Sequence, residues 1–255
     1  MTRYLAVAAL LGAAALAACD KNAVQALPTA PLLASRIKFF NFGVRAPGVN
    51  FYANDTKMTA TSSATDTEST IGVTYGGVGA GGVYLAIAPG QYTLTGRIAD
   101  TTDKDLPIAT VGATIADGKF YSFYMSGLYN ATAKTVEGFV VEDPFVAQSD
   151  YTVAYVRFVH AIANANPLTL YAANTTTHDT VAVGAAVAYK DAGAFTALPG
   201  GVYDLFARYT DSTTNKVSKK AVSFSAGRIY TIGARGDITV ATGTAAPALD
   251  NTANR

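Results

Sequence analysis

From Ser35 onward the chain alternates short apolar or aromatic runs with Gly, Pro, Asn and Asp. Arg36–Phe42, Val49–Ala53, Val83–Ile87, Tyr92–Ile98, Phe120–Ser126 and Thr135–Val141 are each of strand length, alternate at least partly, and end at turn residues. No stretch of this region keeps a helically spaced apolar stripe over several turns. The pattern predicts an all-β body. Two stretches break the rhythm: the polar Thr59–Thr70 and the glycine-rich Gly76–Gly82, both expected to be mobile loops.

The runs recur in order. Lys38-Phe39-Phe40-Asn41 aligns with Arg157-Phe158-Val159-His160, and at the same offset Phe51-Tyr52-Ala53 meets Leu170-Tyr171-Ala172. Gly90-Gln91-Tyr92-Thr93-Leu94 then matches Gly201-Val202-Tyr203-Asp204-Leu205, with Arg97 on Arg208, and Gly118-Lys119-Phe120-Tyr121 matches Gly227-Arg228-Ile229-Tyr230. The offset shrinks along the chain, as it should if the first copy carries longer loops. Two copies of one fold are expected. The boundary falls near Glu142-Asp143-Pro144, giving domains at 35–145 and 155–242, a linker at 146–154 and a frayed polar tail at 243–255.

The N-terminus follows another plan. Arg3 precedes the apolar Leu5–Ala15, and Leu16-Ala17-Ala18 leads into Cys19, the single cysteine of the chain. A positive start, a short apolar core and small residues are the plan of a secretory signal, too short for a comfortable transmembrane helix. A cysteine directly after them resembles the lipobox of bacterial lipoproteins. That resemblance implies a signal peptide at 1–18, lipid on Cys19, and a membrane-anchored place in the bacterial cell envelope, on its periplasmic or cell-surface face. Residues 19–34 read as an extended lipidated tether reaching on the order of 40 Å.

Composition narrows the function classes. Apolar residues make up 50% of the chain, ample for a core, and charged residues only 15%. Lys and Arg number 19 against 18 Asp and Glu, and loss of Arg3 with the signal leaves a formally neutral body. No basic stripe exists for a phosphate backbone, so nucleic acid is not an expected partner. With Cys19 lipidated, neither a disulfide nor a thiolate metal site can form within the chain.

Tyr155-Val156-Arg157-Phe158-Val159-His160-Ala161 followed by Pro167-Leu168-Thr169-Leu170-Tyr171 resembles the opening of the DUF4397 family. Leu198-Pro199-Gly200-Gly201-Val202-Tyr203 and Ala226-Gly227-Arg228-Ile229-Tyr230-Thr231 fit its later strands, and the first copy fits more loosely through Arg36–Tyr52, Ile87–Leu94 and Ala116–Phe123. The resemblance implies two tandem immunoglobulin-like β-sandwich domains of a kind found on bacterial envelope and secreted proteins, with no established activity. It departs at two places: the family's His is His160 in copy two but Asn41 in copy one, and its usual Asp is Asn50 and Thr169. A site built from that pair is incomplete in both copies.

Candidate chemistry is sparse. His160 follows an apolar strand and reads as a structural strand-end histidine bonded to a loop; His178 lies in a Thr-rich loop. Neither has the serine context of a hydrolase triad. Asp100, Asp103 and Asp105 could offer oxygens to calcium, but Lys104 among them and the lack of a turn glycine favour a solvated hairpin loop. Asp204 and Arg208 share a strand face too far apart for a direct pair. Gly76–Gly82 lacks the ending of a phosphate loop and leads into a strand. The repeated tyrosines Tyr52, Tyr75, Tyr92 and Tyr121, with Tyr171, Tyr189, Tyr203 and Tyr230, read as core-edge residues. Tyr84, Tyr124, Tyr129 and Tyr209 are unrepeated and could face a partner.

The expectation is a non-catalytic envelope lipoprotein for binding, adhesion or structural presentation, with no cofactor and no metal. Its partners are the membrane, through lipid on Cys19, and an envelope protein or glycan. Two alternatives stand beside it: a lipid-anchored hydrolase of envelope polysaccharide, and a carrier holding a small apolar ligand between the domains.

Overall fold

The computed structural model describes residues 35–60, 68–145 and 150–254. Cys19, the signal segment, the tether and residues 61–67 of the low-complexity stretch lie outside the described residues. Strands β1 (Arg36–Val44), β2 (Val49–Ala53), β3 (Thr56–Lys57), β4 (Gly77–Val78), β5 (Leu85–Ala86), β6 (Gly90–Ile98), β7 (Pro107–Ile115), β8 (Phe120–Asn130) and β9 (Thr135–Glu142) come first. They are followed by β10 (Val153–His160), β11 (Leu168–Asn174), β12 (Thr180–Ala182), β13 (Asp191–Ala192), β14 (Thr196–Pro199), β15 (Gly201–Tyr209), β16 (Val217–Phe224), β17 (Ile229–Arg235) and β18 (Ala248–Ala253). The body is all-β, as the alternating pattern predicts.

The strands form four sheets, and the second pair repeats the first. One sheet runs β4-β1-β8-β9 with β5 also on β1, and faces β3-β2-β6-β7; the next runs β13-β10-β17-β18 with β14 also on β10, and faces β12-β11-β15-β16. Even the one parallel pairing is repeated, β1 on β8 and β10 on β17. Each pair of sheets closes on its own core. Phe39, Phe51, Leu94, Phe123 and Met125 fill the first sandwich, and Phe158, Leu170, Leu205, Phe224 and Ile232 fill the second. Alternate strand residues supply these cores because successive side chains point to opposite faces. The turn before β8 and its counterpart before β17 place Gly118 and Gly227 at φ +69 and +72, a conformation that disfavours other residues.

Two segments depart from the sequence reading. Residues 243–255 are not simply a frayed tail: Ala248–Ala253 pairs along its length with β17, and Leu249 enters the second core. Gly76–Gly82 is not a free loop, since Gly77 and Val78 pair with β1 and Gly79 is buried in a short 3-10 turn. In both cases the neighbouring strand offers a free edge that takes up the segment's backbone groups.

A third cluster joins the sandwiches. β1 is buried on both faces: Ile37 and Phe39 point into the first core, while Phe40 and Phe42 point away from it. Phe40, Phe42, Tyr124, Phe139 and Val141 of the first sandwich pack with Val159 and Ala161 of the second. Phe40, Tyr124 and Phe139 stack in succession, with centroids 4.5 and 5.2 Å apart. The sheets containing β1 and β10 therefore face each other, and the described strands from β1 to β18 form four layers.

Candidate functional site

The buried polar residues gather at this seam. Lys38 on β1 and Arg157 on β10 occupy aligned positions and are 2% and 1% exposed. Each reaches across to the last residues of the opposite sandwich. The Arg157 guanidinium donates to the Glu142 carbonyl at 2.9 Å and forms an ion pair with Asp143, directly after β9. The Lys38 ammonium donates to the Ala253 carbonyl at 3.2 Å and to Asn254 Oδ1 at 3.1 Å, directly after β18. Ser122 donates to Asp143 at 2.8 Å, and at the other end Asn254 Nδ2 donates to Thr231 at 2.7 Å. Lys38 lies 4.3 Å from the Tyr84 ring centroid and Arg157 5.1 Å from that of Phe195. The contacts are reciprocal, as in the self-complementary interface of a two-fold dimer.

The electrostatics follow from burial. Desolvation pulls the Lys38 ammonium down to about 8, against the attraction of Asp143. Tyr84 donates to Asp143 at 2.6 Å, and burial plus that carboxylate drive its phenol far above the ordinary range. Asp143 thus accepts from Arg157, Tyr84 and Ser122. In the sequence it reads only as an acid in a connector; in the fold it ties the sandwiches together.

The aromatics cross the same seam. Tyr75 and Tyr189 are not core-edge residues of their own domains. Tyr75 lies under Arg235 of the second sandwich, 4.6 Å from ring centroid to guanidinium, while Tyr189 reaches Ser126 at 3.0 Å and Glu137 at 2.9 Å in the first. The unrepeated Tyr84 and Tyr124 are likewise absorbed here. Tyr121 and Tyr230 do fit the core-edge reading, since their hydroxyls accept the amides of Ala116 and Ser225 at 3.1 and 3.0 Å.

The other candidates are dispersed. His160, at the end of β10, is wholly buried: Nδ1 accepts the Ile162 amide and Nε2 donates to the Asn166 carbonyl, both at 3.2 Å. Those roles leave a neutral ring, and burial lowers its pKa below 6.5. His178 is exposed in the turn after β11. In the β6–β7 turn Asp103 pairs with Lys134 at 2.6 Å, Asp105 accepts from Tyr52 at 2.8 Å, and Asp100 bonds Thr101 and Thr102. Asp204 accepts the Ala221 amide and Arg208 donates to Asn215. Among the described residues no three His, Cys, Asp or Glu side chains are grouped to hold a metal. A groove of about 610 Å³ opens between the edge strands β12 and β14, with Val181, Leu198 and Tyr203 on its walls. The seam centre, where the sequence allows an apolar ligand between the domains, is packed with the rings of Phe40, Phe42, Tyr124 and Phe139.

Fold and site define a class: a two-sandwich β protein with a buried polar seam between the sandwiches. Residues 154–254 match the family described as Domain of unknown function (DUF4397). No curated protein matches the chain. Among solved structures, the Bacillus anthracis TIE protein is similar at 12% identity over 78% of this chain and 33% of its own, with a TM-score of 0.22. This chain thus spans about a third of that protein's length. A "putative cell adhesion protein" from Bacteroides ovatus ATCC 8483 is similar at 13% identity over 89% of this chain and 97% of its own, with a TM-score of 0.23.

Proposed function

We propose that this protein is a non-catalytic lipoprotein of the bacterial envelope, held by lipid on Cys19 and built from two DUF4397 copies. Its single stiff body presents loops and sheet edges to an envelope protein or glycan. One observation carries the reading: the side chains best suited to chemistry are already engaged. Both ring nitrogens of His160 are bonded to backbone groups, and the Asp143 carboxylate is held by Arg157, Tyr84 and Ser122. A general base must be free to reach the proton it removes. The same strand order in both halves, including the parallel pair, supports the second copy. The Leu16-Ala17-Ala18-Cys19 motif supports the anchor. Two or more acyl chains make such anchoring stable.

Two experiments test this. Cys19→Ser should block lipidation and leave the protein unprocessed or released from membranes; wild-type processing and fractionation would refute the anchor. The soluble body from residue 35 onward, used as bait on envelope fractions and glycan arrays, should retain a protein or glycan. Turnover in a polysaccharide-hydrolase panel, abolished by His160→Asn without loss of folding, would overturn the non-catalytic reading.

A further inference from the structure

The two ends of the seam are reciprocal in position but not in chemistry. At one end an arginine meets an aspartate; at the other a buried lysine meets the side-chain amide of an asparagine. A guanidinium stays protonated and cannot attack a carbonyl, whereas an amine freed of its proton can.

We propose that Lys38 and Asn254 become joined by an amide bond between Nζ and Cγ, tying the first strand of the first sandwich to the end of the last strand of the second.

Geometry comes first. Nζ sits 3.1 Å from Asn254 Oδ1, and the fold fixes this contact between residues at opposite ends of the described chain. Holding two reactants together in this way replaces a bimolecular encounter. The Asn254 amide is oriented because its Nδ2 donates to Thr231 at 2.7 Å. The groups facing Nζ are few: the Tyr84 ring and the Ala253 carbonyl, with the charges of Asp143 and Arg157 near enough to act on it. Burial brings the ammonium to about 8, so free amine is present close to neutral pH.

The step balances without a co-reactant. The neutral amine adds to Cγ, forming the Nζ–Cγ bond. The proton lost from Nζ passes to Nδ2, the Cγ–Nδ2 bond breaks, and ammonia leaves. A recess of about 350 Å³, lined by Lys38, Tyr84, Arg228 and Asn254 among others, gives ammonia an exit. The product is a lock: strain or proteolysis at the C-terminal strand could no longer peel β18 away from the seam.

The test is a tryptic map of the full-length protein. The bond blocks cleavage after Lys38, so Ile37–Arg45 should appear joined to Gly236–Arg255 in one species, lighter than the sum of the free peptides by one ammonia. Asn254→Ala should abolish that species and release Phe39–Arg45, while the circular dichroism spectrum stays that of the wild type. Recovery from the wild type of Phe39–Arg45 and Gly236–Arg255 as separate peptides, with Asn254 intact or deamidated, would overturn the proposal. So would survival of the joined species in Asn254→Ala.

Discussion

Asn41 and His160 share two hydrogen bonds made with different chemistry, and Asn41 adds a third by donating to the Val73 carbonyl at 2.8 Å. Each accepts the amide two residues on: Gly43 N to Asn41 Oδ1, and Ile162 N to His160 Nδ1, both at 3.2 Å. Each also donates to the carbonyl six residues on, Pro47 in one case and Asn166 in the other, again at 3.2 Å. The side chain closes the following loop back onto its strand. An amide and a neutral imidazole serve equally, because each offers one acceptor and at least one donor.

His160→Asn should therefore fold and keep most of its stability, whereas His160→Ala should lose about 1–2 kcal/mol as the buried Ile162 amide loses its acceptor. The pH profile separates the residues further. Burial depresses the folded-state pKa of His160 below 6.5. The neutral ring's contribution is complete above the unfolded value and is lost as pH falls through and below about 6.5. Wild type should thus soften on mild acidification more than His160→Asn does. Parallel denaturant curves at pH 8 and pH 5 measure this, and equal pH dependence in the two proteins would contradict it.

At Asp143 the geometry predicts a strongly non-additive pair. Asp143→Ala leaves the buried Arg157 charge uncompensated and should cost about 3–5 kcal/mol. The double replacement Asp143→Ala with Arg157→Met removes both charges and should recover much of that loss, since an apolar pair carries no desolvation penalty. A double-mutant cycle by urea unfolding reads the coupling directly. Additive losses would mean that the pair contributes little.

The strands and their repetition were legible because each buries one face on a core, and that leaves a period of two. The seam left a weaker trace. Arg36–Val44 reads RIKFFNFGV, with aromatic residues at both parities in Phe39, Phe40 and Phe42, which is what burial of both faces requires. Lys38 and Arg157 break that apolar run at aligned positions, so they were visible as a repeat but not as partners of residues far away in the chain. β18 escaped notice because ALDNTA places only Leu249 into the core and otherwise serves as an edge. Strand pairing at an edge depends on the neighbour's free backbone, which no local pattern reports.

That edge strand gives a deletion test. A chain ending at residue 243 lacks β18, its register on β17, the buried Leu249 and the Arg235–Asp250 ion pair. Loss of the leucine contact alone should cost about 2–5 kcal/mol. The truncated second half, expressed by itself, should fail to give a cooperative melt. A sharp transition from residues 148–243 alone would show that β18 is dispensable.

The last prediction concerns Gly233 on β17, whose missing side chain is filled from the other sandwich. A Cβ built there would lie 2.8 Å from a ring carbon of Phe42. Gly233→Ala should therefore destabilise the protein by about 1–3 kcal/mol through overpacking. The second sandwich has no need of a glycine there for its own core, because residue 233 points away from Ile232 and Ala234 toward the seam. If Phe42 is the obstacle, Phe42→Ala, itself costing about 3–5 kcal/mol, should absorb the added methyl, making the double variant less unstable than the two losses summed. Calorimetry on all four proteins checks both the coupling and its premise. With Phe40, Phe42, Tyr124 and Phe139 buried between the sandwiches, the wild type should unfold in one transition. Two separate transitions, with Gly233→Ala shifting only the second, would mean that the halves fold independently and meet loosely.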